Sequence, residues 1–233
     1  MAPKAKIMFV SNGSVINEER ANKIVDSGID CFQFSLDSGS KETYKWLTGS
    51  NAYEDVCRKL EKLAEIKEKK NAKHLRIQTH ILGLKEQEHE FDEFVKKWSK
   101  IVDEAQVREY GNWGGRVDDN GVTPANNNSE IPKERYPCAW LWYCTKIEPE
   151  GNVIKCHQHS VGDEKDPEIL GNILENSFEE IWKGENMRLA REAHLTNNYD
   201  KLAFCKDCQV WSCFYDVWNK EKKLGIFPTG NWA

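Results

Sequence analysis

Four cysteines carry the clearest chemistry in this sequence. Cys205 and Cys208 form a C-x2-C pair near the end of the chain, and Cys138 and Cys156 precede it, flanking the turn sequence Pro149-Glu150-Gly151-Asn152. A C-x2-C pair on a tight turn can point two thiolates at one inorganic centre, and cysteines from a remote loop can complete a sulfur shell. The bland alternative is that each is a buried structural thiol, a common fate for free cysteine. Glycine-rich turns are poor core positions, so a shared site is the stronger reading, with iron–sulfur and zinc both open at this point. Cys144 and Cys213 stand at C-x5-C and C-x4-C spacing from members of the set, and either could replace one of the four. His157 and His159, beside Cys156, read as solvent-facing. Cys31 and Cys57 fall within apolar patterns and read as small core hydrophobes.

A second group of polar residues sits where strands end. Ser11-Asn12-Gly13 and Ser35-Leu36-Asp37 each follow an apolar run, and the carboxyl ends of parallel strands are where α/β sheets place ligands. Turn capping explains such residues in most proteins. Asn12, Ser35 and Asp37 together with Gln78 on the third strand nevertheless make a polar rim for one ligand.

The elements that must position these groups come in two textures. Over residues 1–110 strands alternate with amphipathic helices, the rhythm of parallel βα units. Strands are expected at Lys6–Val10, Cys31–Leu36, His74–Leu82 and Glu104–Tyr110. Helices are expected at Glu18–Ser27, closed by a left-handed Gly28, at Lys41–Leu47, and from a capping box at Asn51 and Glu54 through Lys70. A further helix carries Phe91, Phe94, Val95, Trp98 and Ile101. Lys67, Lys69, Lys70 and Lys73 read as a solvated face. Residues 111–134, rich in glycine and asparagine, read as a linker or active-site loop.

Residues 135–233 form the second region. Thr145–Ile147 and Val153–Lys155 flank their turn like a hairpin, Leu170–Ile173 reads as another turn, Ser177 and Glu180 form a capping box, and Glu185–His194 reads as a helix. Trp211, Phe214, Tyr215 and Trp218 keep helical spacing and suit packing or shielding of a cluster.

Composition narrows the function classes. A chain of 233 residues with 39% hydrophobic residues can bury a real core, and a net charge of −5 gives no basic footprint for nucleic acid. A small-molecule or peptide partner fits better. No segment is long and apolar enough for a bilayer and no signal peptide opens the chain, which reads as cytoplasmic. Eight cysteines in a reducing compartment are then ligands or buried thiols rather than disulfides.

Taken together, these residues resemble the radical S-adenosylmethionine (SAM) enzymes that carry a C-terminal SPASM or twitch domain. Val10-Ser11-Asn12-Gly13 resembles the family's T-N-G strand end and Phe34-Ser35-Leu36-Asp37-Ser38 its S-L-D-G strand end. Cys138, Gly151, Cys156, Leu170-Gly171-Asn172-Ile173, Glu180-Ile181-Trp182 and the Cys205–Cys208 pair follow the order of the single-cluster SPASM signature. The resemblance implies an α/β fold, the C-terminal part of a radical SAM barrel over 1–110, followed by a small α+β SPASM domain over 135–233. It implies an auxiliary 4Fe-4S cluster on Cys138, Cys156, Cys205 and Cys208. SAM would be held by Asn12, Ser35, Asp37 and Gln78, the substrate would be a peptide, sugar or small polar molecule, and a flavodoxin or ferredoxin would donate electrons. The family's C-x3-C-x2-C loop is missing, and none of the cysteines precedes Cys31. This departure implies a fragment of a longer protein with an incomplete barrel and an exposed sheet edge. The competing expectation is a non-catalytic iron–sulfur or zinc module for binding or electron transfer on a remnant barrel.

Overall fold

Apolar side chains recur at every second residue along Cys31–Asp37, and that period of two gives the central sheet a greasy face and a polar one. The computed structural model describes residues 5–111, 121–125, 134–156, 169–200, 202–206, 208 and 210–214. Two compact units emerge, Met1–Tyr110 with Asp119–Asn128, and Gly111–Asp118 with Ser129–Ala233.

The first unit is built on four parallel strands in sequence order, β1 (Met8–Ser11), β2 (Cys31–Asp37), β3 (Arg76–Gly83) and β4 (Glu104–Glu109). Between them run α1 (Glu18–Asp26), α2 (Lys41–Thr48), α3 (Tyr53–Lys69), a 3-10 turn (Lys85–Glu90) and α4 (Phe91–Trp98). Phe32, Phe34 and Leu36 of β2 and Ile77 and Ile81 of β3 are fully buried. They form one core with Ala21 and Val25 of α1, Val56, Leu60 and Leu63 of α3, and Phe94 and Trp98 of α4. Burying each large side chain in such a core contributes about 1.5–3 kcal/mol before the entropy of ordering is counted.

Helix ends follow local chemistry. Asn17 caps α1 by accepting the Arg20 N–H, and Gly28 just beyond it adopts a φ of +78°. Ser40 and Thr43 form a reciprocal capping box on α2. The box expected at Asn51 and Glu54 does not form. The helix begins one residue later, with Ala52 as the N-cap of α3 and no side-chain bond, and Glu54 instead pairs with Lys41 at 2.5 Å. Lys67 also departs from the solvated face. It is buried, with its ammonium 2.5 and 2.7 Å from the two oxygens of Asp103, which also accepts the Ile77 N–H.

The sheet is an open four-stranded segment with β1 at one edge, where Ile7, Phe9 and Val10 are more than half exposed. Of residues 111–134, the described stretch 121–125 joins the end of β3. Lys85 N–H donates to the Thr123 carbonyl, Ala125 N–H to the Gly83 carbonyl, and Leu84 bridges Pro124.

The second unit contains a three-stranded antiparallel sheet, β5 (Lys146–Ile147), β6 (Asn152–Ile154) and β7 (Ile169–Asn172). The hairpin expected around Gly151 is present, and that glycine holds a φ of +89° where the Asn172 side chain leaves no room for a Cβ. Residues 170–172, expected as a turn, are a strand instead, and the turn follows them. Pairing with β6 and the close seat of Gly171 against Ile181 override the turn preference of Gly and Asn. Helices α5 (Trp140–Tyr143), α6 (Phe178–Lys183), α7 (Glu185–Leu195) and α8 (Ala203–Lys206) and a 3-10 turn (Val210–Phe214) complete the unit. The Ser177–Glu180 box is present on α6. Leu141, Met187, Ala190 and Leu202 form the centre of its core.

Candidate functional site

Two constellations stand out, one in each unit. In the first, residues opposite the core face of the sheet are polar in register: Gln33 beside Gln78 and Glu104, and Ser35 beside His80 and Gln106. His80 is 2% exposed, and its Nδ1 lies 3.2 Å from the Gln33 amide nitrogen. An amide NH2 can only donate, so Nδ1 accepts in this assignment and the ring proton sits on Nε2. That nitrogen is 2.8 Å from the Asp37 carboxylate. A Gln33–His80–Asp37 chain thus runs up the polar face to the end of β2.

Asp37 itself adopts a left-handed φ of +65°, at the point where the β2–β3 register slips. A non-glycine residue there costs energy that its surroundings must supply. Gln87 donates to both the Asp37 and Leu82 carbonyls, at 2.9 and 2.7 Å. Glu90 accepts the Gly39 N–H at 3.0 Å and the Thr43 hydroxyl at 2.9 Å, while Tyr53 donates to the Gly39 carbonyl. The strand end is over-determined by bonds from three following elements.

The four rim residues are placed differently within this frame. Ser35 is half-buried on the same face as His80, and its hydroxyl has no hydrogen-bond partner among the described residues. Asp37 presents its carboxylate to His80. Asn12, on the turn after β1, is exposed, and its Oδ1 accepts the Ser14 N–H at 3.1 Å. Gln78 lies in the row below Ser35 and donates to Glu104 at 2.7 Å, an oxygen that also takes Arg76 at 3.0 Å. His80, Gln87 and Glu90 were not singled out from sequence. For His80 a signal existed, since it alternates with Gln78 along β3.

In the second unit, Cys156, Cys205 and Cys208 lie near enough to Cys138 to perturb its thiol. Burial raises the Cys138 thiol first of all, and the negative charge of Cys156, Cys205 and Cys208 raises it further, to about 12, against the opposing hydrogen bond from the Trp140 N–H. Cys208 accepts the Val210 N–H at 3.4 Å in the same i to i+2 pattern. Four thiols that repel one another when ionised need a positive centre to hold them as thiolates together. Cys144 is raised by burial alone and shows no such coupling. Among the described residues no three His, Cys, Asp or Glu side chains are gathered so as to hold a metal ion. The side chain of Cys213 and both His157 and His159 lie outside the described residues. Cys31 and Cys57 are buried core thiols, and the seven described cysteines are free.

The surroundings of these thiols come from the segment before Cys138 and the end of α7. His194 is 1% exposed, and its Nδ1 accepts the Cys138 N–H at 3.2 Å. Burial lowers its pKa to about 4, with Arg135 and Lys155 adding to the effect. Its Nε2 has no partner among the described residues. Arg135 donates to the carbonyls of Cys205 and Lys206 and lies 4.0 Å over the Tyr199 ring. Neither residue has a spacing signature in the sequence.

The chain thus combines a parallel α/β segment that carries a polar strand-end rim with an α+β unit that carries four of the described cysteines. Sequence comparison gives the parts their families. Residues 1–97 match the radical SAM superfamily, and residues 138–209 match SPASM, an iron–sulfur cluster-binding domain, a span that opens on Cys138 and closes one residue past Cys208. The chain is therefore similar to the radical SAM superfamily in its first part and to the SPASM family in its second, and the four-stranded parallel sheet is consistent with a partial radical SAM barrel. Among solved structures, the crystal structure of selenomethionine BtrN in an open conformation is similar over 89% of this chain and 94% of that one, at 12% identity and a TM-score of 0.31. A likeness that loose adds nothing to the assignment. No curated protein matches the chain at a significant level. No helix among the described residues is long and apolar enough to cross a membrane.

Proposed function

We infer that the second unit binds an auxiliary 4Fe-4S cluster through Cys138, Cys156, Cys205 and Cys208, as part of a radical SAM/SPASM protein acting on a peptide, sugar or other small polar substrate. The observation that carries this reading is the match of residues 138–209 to a cluster-binding family, a span that contains all four cysteines and runs from Cys138 to one residue past Cys208. The donor set fits the group. It is all sulfur, and two of the four sulfurs receive backbone N–H groups, the kind of bond that tunes an iron–sulfur centre. When bound, such a cluster supplies one-electron chemistry. This chain's residues hold it and limit solvent access, with Trp211 buried beside the C-x2-C turn.

In the first unit we assign Asn12, Ser35 and Asp37 to SAM, with Gln78 supporting them from the row below. Ser35 offers a hydroxyl with no partner among the described residues, which can donate or accept, and Asp37 offers a carboxylate locked by His80, which can accept, so both can bond a ligand without reorganising. Radical chemistry on SAM would give a 5'-deoxyadenosyl radical that takes a hydrogen atom from substrate. It requires an electron donor of the flavodoxin or ferredoxin type, and a further cluster for which this sequence contains no C-x3-C-x2-C run. The same four cysteines also suit a second reading, a non-catalytic iron–sulfur or zinc module that binds or passes electrons. Anaerobic purification with iron, sulfide and zinc analysis tests the shared part of both. Four irons with sulfide and a visible band bleached by dithionite are expected, and Cys205→Ala should lower the content. One zinc without sulfide, or unchanged metal in Cys205→Ala and Cys208→Ala, refutes the ligand assignment. SAM binding measured by calorimetry, lost in Asp37→Ala, separates the radical SAM reading from the module.

A further inference from the structure

The thiols of the second unit are accompanied by two cationic side chains, one buried and one partly buried. Lys155, the residue before Cys156, is 5% exposed. Arg135 reaches from three residues before Cys138 to the far cysteine pair, donating one bond to the carbonyl of Cys205 and another, at 2.8 Å, to the carbonyl of Lys206. Its guanidinium is sandwiched near two rings, 4.0 Å from the Tyr199 centroid and 5.8 Å from that of Trp211. The Nε is buried and finds no acceptor among the described residues. A planar fork held by aromatic faces and two carbonyls is fixed in place, which a lysine ammonium would not be.

The carbonyls it takes are those of the last turn of α8, where the Cys205 carbonyl also accepts the Cys208 N–H at 3.3 Å. Arg135 therefore does two things at once. It fixes the turn that presents Cys205 and Cys208, and it places a permanent positive charge beside thiols that repel one another.

We propose that Arg135 is a positioning residue for the iron–sulfur cluster, locking the C-x2-C turn through its carbonyls and offsetting the negative charge of the cluster together with Lys155. This rests on the cluster reading above. One-electron reduction adds one negative charge to a cluster held by four thiolates and transfers no proton to the arginine. A fixed cation therefore favours the reduced state and raises the potential.

The full chain is reconstituted anaerobically as wild type, Arg135→Met and Arg135→Lys. Iron and sulfide content, resistance of the visible band to an iron chelator, and midpoint potential by dye-mediated titration are measured for each. Arg135→Met should lose its cluster about tenfold faster, at the low end for outer partners of metal ligands, and what remains should titrate at lower potential. Arg135→Lys keeps the charge and loses the fork, so its potential should stay near wild type while its cluster is lost faster. A merely structural arginine would leave the potential of the retained cluster unmoved. Arg135→Met with wild-type potential overturns the proposal, as does Arg135→Lys with wild-type resistance to chelator, which still decides if the methionine variant does not fold. Wild type with no iron and sulfide overturns the cluster reading itself, a distinct result.

Discussion

Replacing Gly13 by alanine should cost the first unit about 2–5 kcal/mol. The residue follows Asn12 at the end of β1 and holds a φ of +72°. A Cβ built there falls 1.9 Å from Cζ of Phe34 and 2.3 Å from Cε2, and that ring is fully buried against its neighbours in the core. The left-handed backbone alone costs a side chain about 1–2 kcal/mol, and forcing a methyl into a packed core costs about 1–3. Gly28 provides the control within the same molecule. It has a φ of +78° but nothing within 4 Å of the added Cβ, so Gly28→Ala should cost only the backbone part. Since the chain holds two units, a single global melt does not isolate the effect. Hydrogen exchange of the buried amides of β2, compared between wild type and the two variants across a urea series, reads the first unit alone. Equal losses in Gly13→Ala and Gly28→Ala, within about 0.5 kcal/mol, would show that the Asn12–Gly13 turn is not pressed onto Phe34 and would sink the reasoning.

Three further outcomes are expected. Lys67→Met removes the ammonium from Asp103 and leaves the carboxylate with the Ile77 N–H. Because the Asp103 side chain is 32% exposed, the loss should be about 1–3 kcal/mol by thermal melting, less than the 3–5 of a fully buried pair, and a neutral result would show the bridge to be idle. Burial raises the thiol pKa of Cys31 and Cys57. Above the ordinary thiol value the unfolded chain releases protons that the folded chain keeps, so stability falls as pH rises from about 8.5 upward. Urea midpoints should drop less steeply with pH in Cys31→Ala/Cys57→Ala, and parallel slopes would contradict the burial. Chelation of iron from the reconstituted protein should lower exchange protection in α7 and leave that of β2 unchanged, and a uniform loss would count against a cluster confined to the second unit.

The features that were legible in the sequence are those fixed by neighbours within a few residues. The period of two in β2, the glycine after α1 and the Ser177–Glu180 box all depend on contacts inside one element, and all are present. The failures involve competitors from far along the chain. Glu54 has the spacing to cap α3, but the helix begins one residue later and Glu54 pairs with Lys41 of the preceding helix. Lys67 looks like the lysines around it, and only Asp103 at the start of β4 distinguishes it. Gly171 and Asn172 carry turn propensity, and strand pairing with β6 overrules it. The cysteines were visible because their spacing is a chemical signature. Arg135 and His194 were not, since an arginine and a histidine acquire meaning only from the carbonyls and N–H groups that folding brings to them.

The polar face of the first unit constrains how a ligand can enter it. Most of its side chains are already spent on one another: Gln33 and Asp37 on His80, and Gln78 and Arg76 on Glu104. A ligand that bonds the Gln78 amide has to displace Glu104, at the cost of leaving a half-buried carboxylate with Arg76 alone. One that bonds the Ser35 hydroxyl displaces no partner among the described residues. The second oxygen of Asp37 is available on the same terms, because His80 holds the first. The row of Ser35 and Asp37 at the strand end can therefore take a ligand without rearrangement, whereas the row of Gln78 serves to keep the sheet rigid beneath it. SAM contacts should then be lost in Ser35→Ala and Asp37→Ala with the fold intact, while Gln78→Ala should act on the stability of β3 and β4 before it acts on binding.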